Sequence, residues 1–243
     1  MRPPSPADLL DAWERGFHQP PPRQAMVLLE AATPDLAPDA LAGMSIGQRD
    51  VWLLSLRESR FGPRVTSIVT CRACQEEIEV DFDIRQVRAS PPASTALLSV
   101  TQSGYQVDFR LPGTGDIEPS IRDGDVQATR RALFERCVVS AYRDGREVSA
   151  AAVPSQVVDV VETRMGEADP QADIRLALTC SECAFAWAVT FDIAAFLWTE
   201  VDAWARRTLL EVHMLASAYG WQESDILALS PPRRRFYLEA VTL

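Results

Sequence analysis

Residues 70–84 read Thr-Cys-Arg-Ala-Cys-Gln-Glu-Glu-Ile-Glu-Val-Asp-Phe-Asp-Ile, and residues 179–193 read Thr-Cys-Ser-Glu-Cys-Ala-Phe-Ala-Trp-Ala-Val-Thr-Phe-Asp-Ile. The two stretches agree at seven of fifteen positions without a gap, including both cysteines and a trailing Val-x-Phe-Asp-Ile. After each Cys-x-x-Cys the apolar residues alternate in the same phase, which predicts a returning strand that buries the same face in both copies. The repeat therefore predicts two similar β-hairpins, each with a cysteine pair at its turn.

Cys71, Cys74, Cys180 and Cys183 are the candidate metal ligands. Four thiolates are the ligand set of a tetrahedral structural zinc, and the two pairs would face each other across a pseudo-twofold axis. A redox pair, disulfides and a site that has lost its metal remain alternatives. The interpretation as a redox pair has little support, because a thioredoxin-type Cys-x-x-Cys lies at the start of a helix, whereas both motifs here lie between strands. Four thiolates leave no open coordination position, so a zinc here would be structural rather than catalytic.

The composition narrows the class of protein and its compartment. The 24 basic residues are all arginine, and the net charge of −10 argues against a nucleic-acid partner, whose binding surface would be basic. No apolar run is long enough to span a bilayer, and the N-terminus leads into a polar helix rather than a signal sequence. We therefore expect a cytoplasmic protein without a membrane partner. In that compartment paired Cys-x-x-Cys motifs favour a metal over disulfides.

The organisation predicted from the sequence is an α+β fold in four parts. N-terminal helices cover 1–62, and C-terminal helices over 194–243 pack on them as a helical body. The paired cysteine hairpins, over 63–85 and 173–193, form a unit like a zinc ribbon. A mixed α/β insertion over 86–172 separates the two hairpins.

Several local patterns support this organisation. Ser45 and Gln48 have the spacing of a capping box at a helix start. The stretch 95–111 predicts a β-hairpin with strands at Ala96–Val100 and Tyr105–Leu111, and a helical pattern runs from about Val126 to Tyr142. A stripe of residues from Leu197 to Tyr219 steps by three or four, which predicts one long helix with a buried face.

Residues typical of catalysis are scarce. His18 and His213 are the only histidines, and neither has a serine or cysteine partner in an evident constellation. Gly113-Thr114-Gly115 lacks the third glycine and the Gly-Lys-Ser/Thr ending of a phosphate-binding loop. The sequence therefore predicts a protein that is not an enzyme and has no small-molecule substrate, although a site assembled from unconnected residues stays an alternative.

The C-terminal segment from His213 to Glu239 resembles the end of the baseplate hub assembly proteins of T-even-type phages. Relatives of these proteins also occur in phage-tail-like contractile injection systems. Their pattern is a helix that ends in Tyr-x-Trp, an Ile-Leu helix and an Arg-Arg-x-Tyr-Leu helix. The stretches Val51–Arg64 and Phe109–Asp116 are also similar to this family. The matching C-terminal residues are Tyr219, Trp221, Ile226, Leu227, Arg234, Arg235, Tyr237 and Leu238.

The resemblance implies a non-enzymatic assembly chaperone or a small structural subunit of a contractile tail. Its partners would be other baseplate, hub and spike proteins, and it would be cytoplasmic or incorporated in the assembled particle. We expect Trp221, Arg234, Arg235 and Tyr237 to be partly exposed and close together as a docking site. The alternative is that Trp221 and Tyr237 complete the helical core. The alternative function is a zinc-ribbon regulatory or nucleic-acid-associated adaptor.

Overall fold

The computed structural model describes residues 3–89 and 97–241, which form ten α-helices and eight β-strands and confirm the α+β class. The helices are α1 Pro6–Gly16, α2 Pro21–Ala32, α3 Pro38–Ala42, α4 Ile46–Phe61, α5 Thr114–Ser120, α6 Val126–Cys137, α7 Ser155–Ala168, α8 Ile193–Tyr219, α9 Glu223–Ala228 and α10 Pro231–Val241. The strands are β1 Arg64–Thr70, β2 Glu77–Asp83, β3 Leu98–Gln102, β4 Tyr105–Phe109, β5 Val138–Arg143, β6 Arg146–Glu147, β7 Arg175–Thr179 and β8 Ala186–Thr190.

The chain separates into two compact units. The first consists of Met1–Leu36 together with Ala194–Leu243, and the second is Ala37–Ile193. Helix α4, which the sequence placed with the N-terminal helices, lies in the second unit. The four-part division stays a prediction of folding units that limited proteolysis would test.

In the first unit helix α1 packs on the long helix α8. The ring of Trp198 approaches Gly16 so closely that a Cβ at Gly16 would lie 2.5 Å from the ring. Trp13 Nε1 donates a hydrogen bond of 2.8 Å to Asp202 Oδ1. A side chain at Gly16 would therefore require the Trp198 ring or one of the two helices to shift.

The buried face of α8 is the predicted stripe. Its residues are buried from Leu197 to Leu215, and Tyr219 at the helix end is 41% exposed. Gly220 follows at φ +68° and donates its N–H to Ala216 O at 2.8 Å, which ends the helix as a C-terminal glycine does.

The second unit contains a four-stranded antiparallel sheet in the order β3-β4-β5-β6. One face of this sheet packs against α6 and α7. The core residues are Tyr105, Val107, Phe109, Phe134, Ala141, Val153, Val157, Val158 and Val161.

The predicted helix from Val126 to Tyr142 is wrong in its last five residues. Helix α6 ends at Cys137, and β5 begins at Val138 and pairs with β4. The β-branched pair Val138 and Val139 suits a strand, and the neighbouring strand decides the conformation. The predicted hairpin is present with β3 starting at Leu98, while its expected start at Ala96 lies outside the described residues.

The second unit also holds two separate two-stranded sheets, β1-β2 and β7-β8. An isolated hairpin is marginal in water, so each of them needs a packing partner. Phe82 and Phe191, which occupy equivalent positions in the repeat, meet edge to face with ring centroids 5.1 Å apart. The two hairpins therefore pack on each other through matching residues.

Candidate metal centre

Each cysteine pair lies in the same type of turn. Cys71 N donates to Glu76 O at 2.8 Å, and Gln75 N donates to Cys71 O at 3.0 Å. The corresponding bonds in the second copy are Cys180 N to Phe185 O at 2.9 Å and Ala184 N to Cys180 O at 3.0 Å. The sequence repeat is therefore also a repeat of backbone geometry.

The residue after the second cysteine has a left-handed backbone in both turns. Gln75 has φ 64° and Ala184 has φ 58°. This conformation reverses the chain directly after the Cys-x-x-Cys, so that both sulfurs of a pair lie at one side of the turn.

The four sulfurs lie together, within 4.8 Å of one another. Cys71 Sγ is 3.7 Å from Cys183 Sγ, and Cys74 Sγ is 3.6 Å from Cys180 Sγ. The first cysteine of each copy thus contacts the second cysteine of the other, which is the reciprocal pattern of a twofold relation.

These distances suit a metal ion better than a disulfide. Sulfurs at about 2.3 Å from a tetrahedral zinc are separated by about 3.8 Å, whereas a disulfide requires about 2.05 Å. All five cysteines are free. Cys71 and Cys180 are buried and Cys74 and Cys183 are exposed, so the cluster lies at the surface with one buried cysteine from each hairpin. The four thiols can hold a metal ion.

The pKa values of the thiols indicate how many of the four can lose a proton without a bound cation. The backbone N–H of Cys74 is the main cause that lowers the pKa of Cys71 to about 7, against burial. The backbone N–H of Glu76 acts to lower the pKa of Cys74, but the thiol of Cys183, burial and the other two thiols outweigh it and raise the pKa to about 12. One thiolate can therefore form easily, whereas four require a bound cation, whose binding releases protons.

Cys137 does not belong to the cluster. It is fully buried at the end of α6, and burial raises its pKa to about 11. Cys137 therefore serves as a small apolar residue on the buried side of α6.

The expected docking residues of the first unit form an aromatic cluster. Tyr219 stacks on Trp221 with centroids 4.7 Å apart, and Trp221 meets Tyr237 edge to face at 4.9 Å. Phe236, which is 66% exposed, lies against Tyr237 at 5.7 Å. Trp221 and Tyr237 are half-buried. We call Tyr219, Trp221, Phe236 and Tyr237 the C-terminal aromatic cluster.

The two arginines differ from each other. Arg235 is exposed and forms an ion pair of 3.0 Å with Glu239. Arg234 is only 9% exposed and pairs with Glu211 at 3.1 Å, so the expectation that Arg234 is partly exposed is wrong. Arg234 lies on the side of α10 that faces α8, and its guanidinium is buried against the carboxylate of Glu211 on that helix.

A cavity in the second unit was not found by sequence reasoning. Arg110, Asp116 and Arg136 lie along its wall beside residues 42–48. The Phe109–Asp116 stretch was noted only as part of a resemblance. Arg110 and Arg136 are 26 residues apart, and no sequence periodicity predicts that they meet. The packing of α6 beside the end of β4 brings them together.

Fold and site together define a mixed α+β protein with a four-cysteine cluster that can hold a metal ion. A family model described as T4 bacteriophage base plate protein matches residues 25–198, and the chain belongs to this family. The match confirms the resemblance, although the C-terminal residues on which it partly rested lie outside the matched range. Comparisons with curated proteins and with solved structures gave no match.

Membership of this family indicates a structural role in a phage baseplate, in contact with other baseplate proteins. Within residues 3–89 and 97–241, no helix combines the length and the apolar character required to cross a membrane.

Proposed function

We propose that this chain is a small structural subunit or assembly factor of the baseplate of a contractile phage tail or a phage-tail-like injection system. The family match over residues 25–198 carries the proposal. The protein works in the cytoplasm of the producing cell and joins the assembling particle through contacts with baseplate, hub or spike proteins.

The proposal includes one structural zinc per chain, held by Cys71, Cys74, Cys180 and Cys183. Its support is the set of four sulfurs within 4.8 Å, the spacing of 3.6 and 3.7 Å between reciprocal pairs, and the identical turns. The ligands come from two hairpins, and the two cysteine pairs are more than a hundred residues apart in the sequence. When bound, the zinc would join two small sheets that have little stability of their own.

The proposal also assigns docking to the C-terminal aromatic cluster with Arg235. Aromatic and arginine side chains dominate the energetics of protein interfaces. Phe236 is 66% exposed, and the side chain of Arg235 is 80% exposed, so both are accessible to a partner. Arg234 contributes by its ion pair with Glu211, which orients α10 on α8.

Mass spectrometry of the purified contractile particle tests the proposal. We expect the chain in the particle if it is a subunit, or in assembly intermediates alone if it is a transient factor. Metal analysis of the purified chain should give one zinc per molecule. A chain found in neither the particle nor an intermediate, but bound to nucleic acid, would overturn the baseplate role in favour of the adaptor.

A further inference from the structure

A cavity of about 350 Å³ opens in the second unit between the start of α4 and the segment that follows β4. Ser45 and Gln48 line it on one side, and Arg110, Gly113, Asp116 and Arg136 line it on the other. Its volume lies within the range of ordinary ligand sites, about 300–1,000 Å³. Nothing in the proposed zinc and docking sites uses it.

The charge of the cavity is positive. Asp116 Oδ2 accepts from Arg110 Nη1 at 2.6 Å and from Gly113 N at 2.9 Å. Asp116 Oδ1 accepts from Arg110 Nη2 at 2.7 Å and lies 3.4 Å from Arg136 Nε. Two guanidinium groups therefore share one buried carboxylate whose oxygens are already occupied, and one positive charge is left over.

The carboxyl group of Asp116 stays ionised at neutral pH. Burial acts to raise the pKa of Asp116, but the hydrogen bonds from Arg110 and Gly113 and the charges of both arginines outweigh it and lower the pKa. The carboxylate therefore stays ionised and holds Arg110 in place at neutral pH.

The polar groups without a partner at this cavity are donors. Among the residues that the structure describes, the two Nη atoms of Arg136 make no hydrogen bond. Gln48 Oε1 accepts from Ser45 N at 3.1 Å, which leaves the Nε2 amide free to donate. Ser45 Oγ accepts from Gln48 N at 3.2 Å, which leaves its hydroxyl proton free. A ligand for this cavity must supply acceptors.

We propose that this cavity binds a carboxylate group of a partner protein, presented by an Asp or Glu side chain or by a chain terminus. A carboxylate matches the planar guanidinium of Arg136 and accepts from Gln48 and Ser45 at the same time. A Cβ added at Gly115 would meet no atom within 4 Å, so the approach to the cavity wall is open. That the carboxylate belongs to a baseplate protein rests on the proposed function.

The first test uses the isotope-labelled full chain, purified with its metal, and N-acetylglutamate as the probe. The amide signals of Gly43, Gly113 and Gly115 should shift saturably with N-acetylglutamate and remain in place with N-acetylglutaminamide, in which amides replace both carboxylates. Arg136→Gln should weaken this binding at least about tenfold, because a charge-assisted pair is lost. Arg164→Gln, which changes an exposed helical arginine paired with Glu167, is the matched control and should bind as the wild type does.

Gly115→Leu is a second variant that adds an apolar side chain at the cavity lining and leaves every charge in place, so it should also weaken the shifts. Equal shifts with both probes, no shifts with either, or full binding by Arg136→Gln would overturn the proposal.

The second test distinguishes the source of the carboxylate. Peptides of about twelve residues from the C-termini of the other proteins of the same particle would be compared with their amidated forms, followed by peptides that contain internal Asp or Glu. Binding at least tenfold tighter than N-acetylglutamate supports a partner protein. Peptides that never exceed N-acetylglutamate would overturn the protein source and indicate a free small carboxylate. A chain absent from both the particle and its assembly intermediates would overturn the proposed function alone, since the first test is made in solution.

Discussion

At the scale of single residues, Ala184 carries a conformational cost that other alanines of its hairpin do not. Its φ of 58° places the Cβ against the following carbonyl group, which costs about 1–2 kcal/mol relative to an ordinary backbone conformation. The equivalent Gln75 has the same conformation, so the turn imposes it on both copies. The chain accepts this cost because the reversal positions both cysteines of a pair.

Ala184→Gly should therefore raise the free energy of unfolding by about 0.5–1 kcal/mol, because glycine adopts this conformation freely. Ala184→Val should lower it, since a β-branched residue at positive φ is strained. Urea unfolding of the metal-saturated protein, followed by tryptophan fluorescence, measures both changes. Ala188→Gly in β8 is the control and should be mildly destabilising. A destabilising Ala184→Gly would show that the turn does not hold this conformation in solution.

Asp50 is a second residue with an unusual environment. Burial is the main cause that raises its pKa to about 6, with further contributions from Asp192 and Asp169, against the pairing with Arg49 at 2.7 Å. A carboxyl whose pKa is higher in the folded state than in the unfolded state favours folding most strongly when it is protonated. The contribution of Asp50 to the free energy of unfolding is fully present below about pH 4 and is lost as the pH rises through about 6.

Asp50→Asn should consequently gain stability relative to the wild type as the pH rises from 4.5 to 7.5. The upper limit of this relative gain is about 3 kcal/mol, from a shift of about two pKa units. Comparing the variant with the wild type at each pH cancels the pH dependence of the metal site, which both proteins share. Carbon NMR titration of the Asp50 carboxyl should give a pKa near 6, and a value at or below 4 would contradict the prediction.

At the scale of elements, the two cysteine hairpins are short sheets whose packing is limited to one face of each. Strands β7 and β8 alternate between half-buried and exposed residues along their whole length. The aromatic contact between Phe82 and Phe191 and the cluster of sulfurs join the two hairpins at different points. A metal at the sulfurs would add a second fixed point, so neither hairpin could turn about the aromatic contact.

Cys180→Ser should abolish stoichiometric zinc binding and lower stability by several kcal/mol, because metal-binding free energy contributes to folding. Cys137→Ser should keep the zinc and cost about 1–3 kcal/mol for the burial of a hydroxyl group. Metal analysis and thermal unfolding with and without chelator measure the two effects. Equal melting temperatures of the wild type with and without chelator would show that no metal stabilises the fold.

At the scale of the whole molecule, surface chemistry differs between the two compact units. The first unit exposes the C-terminal aromatic cluster beside Arg233 and Arg235, whereas the first cysteine hairpin of the second unit exposes Glu77, Glu79 and Asp81. A protein that contacts several partners in a baseplate can use such different surfaces separately. The basic aromatic surface favours an acidic or apolar partner, and the buried Arg234 belongs to the support of that surface.

Arg235→Ala with Tyr237→Ala should leave the fold intact and reduce incorporation into particles or intermediates at least about tenfold, as expected for interface hot spots. Arg234 is left unchanged, because removing it would leave the half-buried Glu211 with only the longer ion pair of 3.9 Å to Arg207. Quantitative mass spectrometry of purified particles measures the effect, with Arg23→Ala as a surface control. Normal incorporation of a stably folded double variant would remove the aromatic cluster from the docking proposal.

The sequence by itself determined the features that depend on short-range pattern. The alternation after Cys71 and Cys180 predicted both hairpins, because a strand places every second side chain on one face. Ser45 and Gln48 predicted the start of α4, since a capping box involves residues only three apart. The repeat also predicted that the cysteine pairs meet, because two copies with the same buried face can pack on each other.

Only the tertiary structure decided the features that depend on distant neighbours. Val138 continues a helical pattern along the chain but lies in a strand, because the edge of β4 is available to pair with it. Arg234 and Arg235 are adjacent in sequence, yet one is buried against Glu211 and the other is exposed, according to how α10 rests on α8. Arg110 and Arg136 converge on Asp116 because the fold closes around them. Burial and charge pairing of this kind are set by the packing of whole elements, which local periodicity does not encode.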